Sequence, residues 1–433
     1  MTSVLAEPLI RSAAPGRAAA RPGAAEPAIS ATISGSLAAA LRRSAEIERQ
    51  IGEQPHRFRI LTGDRPTGDL HLGHYFGTLR NRVRLQDAGA ELFVLIADYQ
   101  VLTDRDAAGP IGEHVLSLVL DYLATGVDPA RSVIFAHSAV PELNQLLVPF
   151  LSLVTAGELQ RNPTVKDEIA QLSSGGTTPR TPRGTPDKEA KISGMRPSGG
   201  TTPRTPRGTP EKEAKISGMR RQASVSGLML TYPVHQAADI LACKGNLVPV
   251  GQDQLPHVEV TRLAARRFND RYPGAGGAGV FPEPDALLSD APLLLGTDGR
   301  KMSKSRGNAI ALRATADETA QLIRGAKTDG LRQVSYDPAG RPEVSSLVLL
   351  AALCLDREPA AVAEEVGGGG AALLKRTVTE AVNERFAHVR ARRAELAADP
   401  GYARQVLRDG CARARAVATA TLEEVRDAMG MRY

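Results

Sequence analysis

The stretch "ELFVLIAD" (91–98) does more than any other to limit how this chain folds. A nearly continuous apolar run of that length suits a strand buried on both faces, as in a parallel sheet covered by helices on either side. Upstream, "FRILTG" (58–63) has the β-branched and aromatic content of a second short strand. Between the two, Leu72, Tyr75, Phe76, Leu79, Val83 and Leu85 recur near the helical period. The unit is therefore β-loop-α-β. Its loop falls at the carboxyl end of the first strand, where open α/β sheets bind their ligands.

Two histidines in that loop, His71 and His74, bracket Leu72 and Gly73. Their spacing is compatible with a metal pair, but no third Cys, His or carboxylate cluster accompanies them as in H-E-x-x-H. A structural pair of helix-start histidines is a second reading. A phosphate cradle is the third and the best supported. Gly68 and Gly73 allow close backbone approach, the helix start offers free N–H groups, and imidazoles donate to oxyanions.

At 433 residues and 42% hydrophobic content the chain has room for two or three domains. No segment reaches the roughly 18–20 apolar residues of a membrane helix, and "SSLVLLAALCL" (345–355) reads as a buried helix, so no membrane partner is expected. Cys243, Cys354 and Cys411 are scattered and odd in number, which fits a reducing cytoplasm better than a disulfide framework or zinc ribbon. Residues 1–55 are dominated by Ala, Arg, Gly and Pro, with Glu7 early, and read as a disordered N-terminal extension holding at most a helix over 37–51. An organellar targeting role is the weaker alternative.

The formal charge of +6 is misleading until it is localised. "SGGTTPRTPRGTPDKEAKISGMRP" (174–197) is repeated at once as 198–221, with changes only at Asp187/Glu211 and Pro197/Arg221. The two copies carry eleven Lys and Arg against four acids, a net +7, so the rest of the chain stands at −1. Global charge thus says little about the folded body. Each copy is rich in Pro, Gly and Thr and too poor in large apolar residues to bury itself, so 173–226 is read as a disordered basic insertion. A tolerated surface loop is the leading reading. Contact with RNA phosphates and phosphorylation at the six Thr-Pro pairs remain open beside it.

Far downstream, "DGRKMSKSRGN" (298–308) sets Lys301, Met302, Ser303, Lys304 and Ser305 between Gly299 and Gly307. Alone, such a loop is solvated surface. Paired with His71-Leu72-Gly73-His74, it resembles the signature couple of class I aminoacyl-tRNA synthetases. "TGDRPTG" (62–68), "GVDPARSVIFAHSAVPE" (126–142), "TYPVHQAADIL" (231–241) and "LVPVGQDQLPHVEVTRLAARRFNDRYP" (247–273) look like the tryptophanyl-tRNA synthetase family.

The resemblance implies an α/β fold: a Rossmann-like parallel-sheet catalytic domain in two parts, 56–172 and 227–312, followed by a C-terminal α-helical tRNA-binding domain, 313–433. Apolar spacing of three to four residues in that last part agrees. It further implies ATP with Mg2+, L-tryptophan and tRNA(Trp) as substrates, a homodimer, and no protein-bound structural metal. His71 and His74 would contact phosphates and adenylate, and Lys301 and Lys304 would close over the developing pyrophosphate charge. Arg65, Pro66 and Thr67 would border the nucleotide, with Met302, Ser303 and Ser305 completing the mobile loop. Gly73 would let the adenine or ribose approach, while Gly251, Gln252 and Asp253 would meet the ribose. An N-cap role for Asp253 ahead of a helix at 256–268 is the alternative.

Asp239 is the specificity candidate. A carboxylate inside an Ala-flanked helical stretch (234–243) is costly to bury unpaired, and the family assigns it to the indole N–H. Tyr232, Gln236, Gln254 and Gln100 would line the same pocket. Arg65, Gln100 and Gln236 depart from the Gln, His and Met common at those positions. In this they resemble auxiliary copies of the enzyme associated with resistance to indolmycin-like antibiotics. A tyrosyl-tRNA synthetase, or a silent synthetase-like RNA-binding or regulatory paralogue, is the rival reading.

The repeat yields a first prediction. Deleting 174–221 should leave the salt dependence of tRNA affinity unchanged, as measured by titration across a range of salt. A slope that falls with the deletion would assign the segment to RNA phosphates.

Overall fold

The computed structural model describes residues 35–103, 110–166, 169, 226–277, 279–288 and 293–433. The expected disorder of 1–34, and that of 173–225, lies outside the described residues, while Ser226, the last residue of the expected insertion, is the N-cap of a helix. Five strands form one parallel sheet: β1 (Arg59–Asp64), β2 (Glu91–Ile96), β3 (Ser132–Ala136), β4 (Leu247–Val250) and β5 (Asp285–Leu288), in the order β3-β2-β1-β4-β5. Strand order therefore reverses between β1 and β4. The helices that follow these two strands leave in opposite directions and open a crevice at their carboxyl ends.

Alternation along the strands explains why helices cover both faces. Ile60 pairs with Leu92 and Leu61 with Phe93, so one row looks to one face and its neighbour to the other. Ile60, Leu92, Val94, Ile134 and Leu247 enter one core, and Leu61, Phe93, Leu95, Phe135 and Val248 enter a second. The run at 91–98 has no polar alternation because it feeds both.

The first core is closed by α1 (Gly35–Glu53), by α2 and by α3 (Ile111–Ala124). Helix α2 runs Leu72–His74, passes through a π-helical turn at Tyr75–Leu79, and continues as Arg80–Ala88. The second core is covered by α4 (Glu142–Leu151), by α5 (Ala156–Arg161), by α6 (Gly227–Ala242) and by α7 (Leu255–Arg271). The C-terminal part is helical as expected: α8 (Ala316–Gly325), α9 (Pro342–Leu355), α10 (Pro359–Val366), α11 (Gly370–Ala398) and α12 (Pro400–Ala428).

Two expectations need correction. Residues 35–53, assigned above to the disordered extension 1–55, are part of the packed body. Arg43 grips Asp285 of β5 at 2.6 Å, the Ser44 hydroxyl accepts the Leu288 N–H at 2.9 Å, and Ile47 and Ile51 are buried. The apolar stripe Ile47/Ile51 is one helical turn apart, which lets it enter the core despite the Ala-rich surroundings. Nor does the helical part stand wholly apart from the sheet. Helix α12 lies against edge strand β3 so closely that a Cβ at Gly410 would strike the Ile134 carbonyl, and this covers an edge otherwise open to pairing.

Replacing Ile47 by Ala should destabilise the chain by about 2–4 kcal/mol in urea unfolding, the usual cost of a buried large-to-small change. A loose extension would show no change.

Candidate active site

At the carboxyl ends of β1 and β4 lies a cleft of about 780 Å³, a size suited to a small-molecule ligand. Its wall includes thirteen of the residues singled out above: Arg65, His71, Gly73, His74, Gln100, Tyr232, Gln236, Asp239, Gly251, Gln252, Gln254, Lys301 and Met302. Pro66, Thr67, Asp253, Ser303 and Lys304 stand off the wall. Pro66 packs inward, Thr67 and Asp253 are exposed beside the mouth, and the Ser305 backbone lies in the turn Lys304–Arg306.

The two distant motifs meet. Residues 70–72 and 310–312 exchange main-chain hydrogen bonds, Leu72 N–H to Ile310 O at 3.0 Å and Leu312 N–H to Leu70 O at 2.9 Å. Asn308 then staples the lysine loop by accepting the Ser303 N–H at 2.8 Å and donating to Asp298 at 2.6 Å. Lys304 reaches across to the Gly68 carbonyl at 2.7 Å, while Lys301 is exposed on the cleft wall. Burial lowers the Lys304 pKa, opposed by Asp64, Asp69 and Asp121.

At this end the histidines are uncharged. Their rings lie 3.8 Å apart. Burial, then the charge of neighbouring groups, depresses His71 to about 3, and burial depresses His74 to about 4 against the pull of Asp64. His74 Nδ1 accepts the His71 N–H at 3.2 Å, so its single proton sits on Nε2. The π-turn immediately follows, a distortion frequent at functional sites. Beneath, Asp64 accepts from Arg82 at 2.6 Å and from the Tyr122 hydroxyl at 2.8 Å. Burial would raise its pKa, but Arg82 with His74 and Tyr122 outweighs that and holds it at about 2.

The other end is built around Asp239, fully buried. Its Oδ1 stands 3.0 Å from His137 Nδ1, and Gln100 Nε2 donates to Oδ2 at 3.4 Å. Beside it the Tyr232 hydroxyl meets His257 Nε2 at 3.0 Å and His257 Nδ1 meets Gln254 Oε1 at 2.9 Å. Gln254 in turn donates to Asp253 at 3.1 Å. Burial depresses His257 to about 4, so it is neutral, donating from Nδ1 and accepting the Tyr232 proton at Nε2. Asp253 does not cap the following helix, whose N-cap is Gln254; its carboxylate leans over Gly251 instead.

Sequence reasoning missed His137, His257, Asp64 and Arg82. Both histidines lay inside quoted stretches, yet a lone histidine carries no periodic signal, and its partner is visible only in three dimensions. Among the described residues no group of three or more His, Cys, Asp or Glu side chains is placed to hold a metal.

This geometry, a doubly wound sheet with the two motifs joined at its switch point, is that of a class I synthetase, and the family model "tRNA synthetases class I (W and Y)" matches residues 53–179 and 210–387. Tryptophan–tRNA ligase of Clostridium longisporum is 38% identical over 386 residues, covering 86% of this chain and 97% of that protein. That of Treponema pallidum is 40% identical over 381 residues, with 86% and 97% covered. The solved tryptophanyl-tRNA synthetase of Campylobacter jejuni, complexed with ADP and tryptophan, aligns with a TM-score of 0.65 at 27% identity over 86% of this chain and 100% of that one. The chain belongs to the tryptophan–tRNA ligases of that class.

The depressed histidines set a pH dependence. In the unfolded chain His71 and His74 protonate near 6.5, in the folded chain only near 3 and 4. The unfolded state therefore binds more protons in between, and stability present above pH 6.5 is lost as the pH falls toward 4. His74→Gln should flatten that fall by about one proton, read from urea midpoints at pH 7, 6 and 5. An unaltered slope would contradict the assignment.

Proposed function

We propose that this chain activates L-tryptophan with ATP to tryptophanyl-adenylate and transfers the tryptophanyl group to tRNA(Trp). The observation that carries the reading is the meeting of His71/His74 with the 301–305 loop at one end of a cleft whose other end holds Asp239.

Activation requires a carboxylate oxygen of tryptophan to attack the α-phosphorus in line, forming the acyl–phosphate bond as the bond to pyrophosphate breaks. No covalent enzyme intermediate is needed, so catalysis rests on positioning and charge stabilisation. His74, neutral with its proton on Nε2, donates to phosphate oxygen without adding a charge that would bind substrate and transition state alike. Lys301 brings a full positive charge to the departing pyrophosphate, and Lys304 joins it when the loop shifts from Gly68. Gly73, where a Cβ would stand 3.0 Å from the His71 ring, leaves the nucleotide close access to the backbone. Arg65, Pro66 and Thr67 border the triphosphate. Gly251, Gln252 and Asp253 receive the ribose hydroxyls at the mouth, with Met302, Ser303 and Ser305 shaping the loop.

The donors at the phosphate end are imidazole, ammonium and guanidinium nitrogens, which suit phosphate oxygens and not a hard cation. Mg2+ would therefore be carried chiefly by the nucleotide's own oxygens, where it neutralises phosphate charge. Asp239 accepts the indole N–H, and Tyr232, Gln254, Gln236 and Gln100 surround the amino acid. A homodimer in the cytoplasm, with the α8–α12 region meeting tRNA, completes the reading. No helix among the described residues is long and apolar enough to cross a membrane.

Pyrophosphate exchange measured with tryptophan, with tyrosine and with neither amino acid tests it. Exchange should depend on tryptophan and fall by about 10²-fold or more in Lys301→Ala. Tyrosine-dependent exchange would favour the tyrosyl enzyme, and none at all the silent paralogue.

A further inference from the structure

We infer that His137 is a positioning residue that pairs with Asp239 and holds its carboxylate in place, and so makes the pocket demand a ring N–H donor from its aromatic substrate. The inference rests on the tryptophan-activating reading and names the residue behind its selectivity.

His137 follows β3 in the turn His137–Ala139, and Asp239 sits on α6; both side chains are 1% exposed and their nearest atoms lie 3.0 Å apart. The second imidazole nitrogen, Nε2, lies 3.0 Å from Asn144 Oδ1 on α4. An amide oxygen only accepts, so Nε2 carries a proton. A carboxylate also only accepts, and its Oδ1 lies 3.0 Å from Nδ1 as an ion-pair contact set off the ring N–H axis. Two bare lone pairs would repel at that distance, so the contact calls for an imidazolium between two acceptors.

The surrounding groups agree. Asp98, on the loop after β2, is a second anion nearby, its carboxylate taken up by the Ser138 N–H and hydroxyl. His235 on α6, its ring 6.3 Å away, is pushed by burial toward the neutral form and adds no competing charge. The Tyr99 ring stacks edge-on at 5.2 Å. Cys243, which senses Asp239, is held as a thiol by burial. Burial opposes the charge on His137, but Asp239, Asn144 and Asp98 outweigh it and hold its pKa at about 9.

Selectivity follows from the charge state. With Oδ1 engaged by His137, Oδ2 is the oxygen offered beside Gln100. An ionised Oδ2 can only accept, so it requires a donor and rejects an isostere without one. Were His137 neutral, Oδ1 would lose the charge that holds it and the carboxylate could turn, so the demand made through Oδ2 would relax.

The test compares kcat/KM for tryptophan and for β-(benzothiophen-3-yl)alanine, in which sulfur replaces the indole N–H, by pyrophosphate exchange. In the parent the ratio should be on the order of 10³ or more and fall as pH rises through about 9. In His137→Asn and His137→Gln, which keep a hydrogen bond but no charge, it should drop about tenfold or more and lose the alkaline limb, with KM for ATP unmoved. An unchanged ratio, or KM for both substrates rising together, overturns the inference. Independently of activity, one imidazolium signal should persist at pH 8 in 15N-histidine spectra of the full chain. Its absence overturns the inference even if the variants fail to fold. A parent without tryptophan-dependent exchange that keeps this signal would instead defeat the functional reading.

Discussion

Four residues of backbone hold the site together. The hydrogen bonds between 70–72 and 310–312 join the helix start after β1 to the segment leaving the lysine loop. Every functional juxtaposition at the phosphate end depends on that bridge. It sets Met302 against Gly73, brings Lys304 within reach of the Gly68 carbonyl and places Lys301 on the cleft wall. Backbone pairing suits the task because it fixes position without committing any side chain that the chemistry needs free.

The two ends of the cleft solve opposite electrostatic problems. Around the histidine pair, burial strips charge from His71 and His74 while Asp64 and Arg82 neutralise each other beneath them. Unpaired positive charge on this part of the wall is left, among the described residues, to Arg65 and Lys301. At the other end His137 and Asp239 lie 3.0 Å apart, both side chains out of contact with water. Removing one partner of such a pair costs far more than the intact pair contributes.

How much of this was legible beforehand depended on the range of the interaction. Strands β1 and β2 were readable because apolar content and flanking turns are local. The packing of 35–53 was not, since Ile47 and Ile51 look unremarkable until Asp285 and β5 are beside them. Asp239 was flagged by the cost of burying a carboxylate, yet its partner was hidden because nothing local marks His137. The alternative that Asp253 caps the following helix is not realised, because that helix begins at Leu255 with Gln254 as its N-cap.

By itself, the sequence determined the parallel sheet, the class of chemistry and thirteen of the residues lining the cleft, because periodicity and compact motifs are properties of neighbouring residues. Tertiary structure alone decided which histidines are buried together, which lysine faces the cleft, and which oxygen of Asp239 faces His137. Those outcomes follow from burial and from partners far away in the chain. Protonation responds to the sum of both, and neither is written in any short stretch of residues.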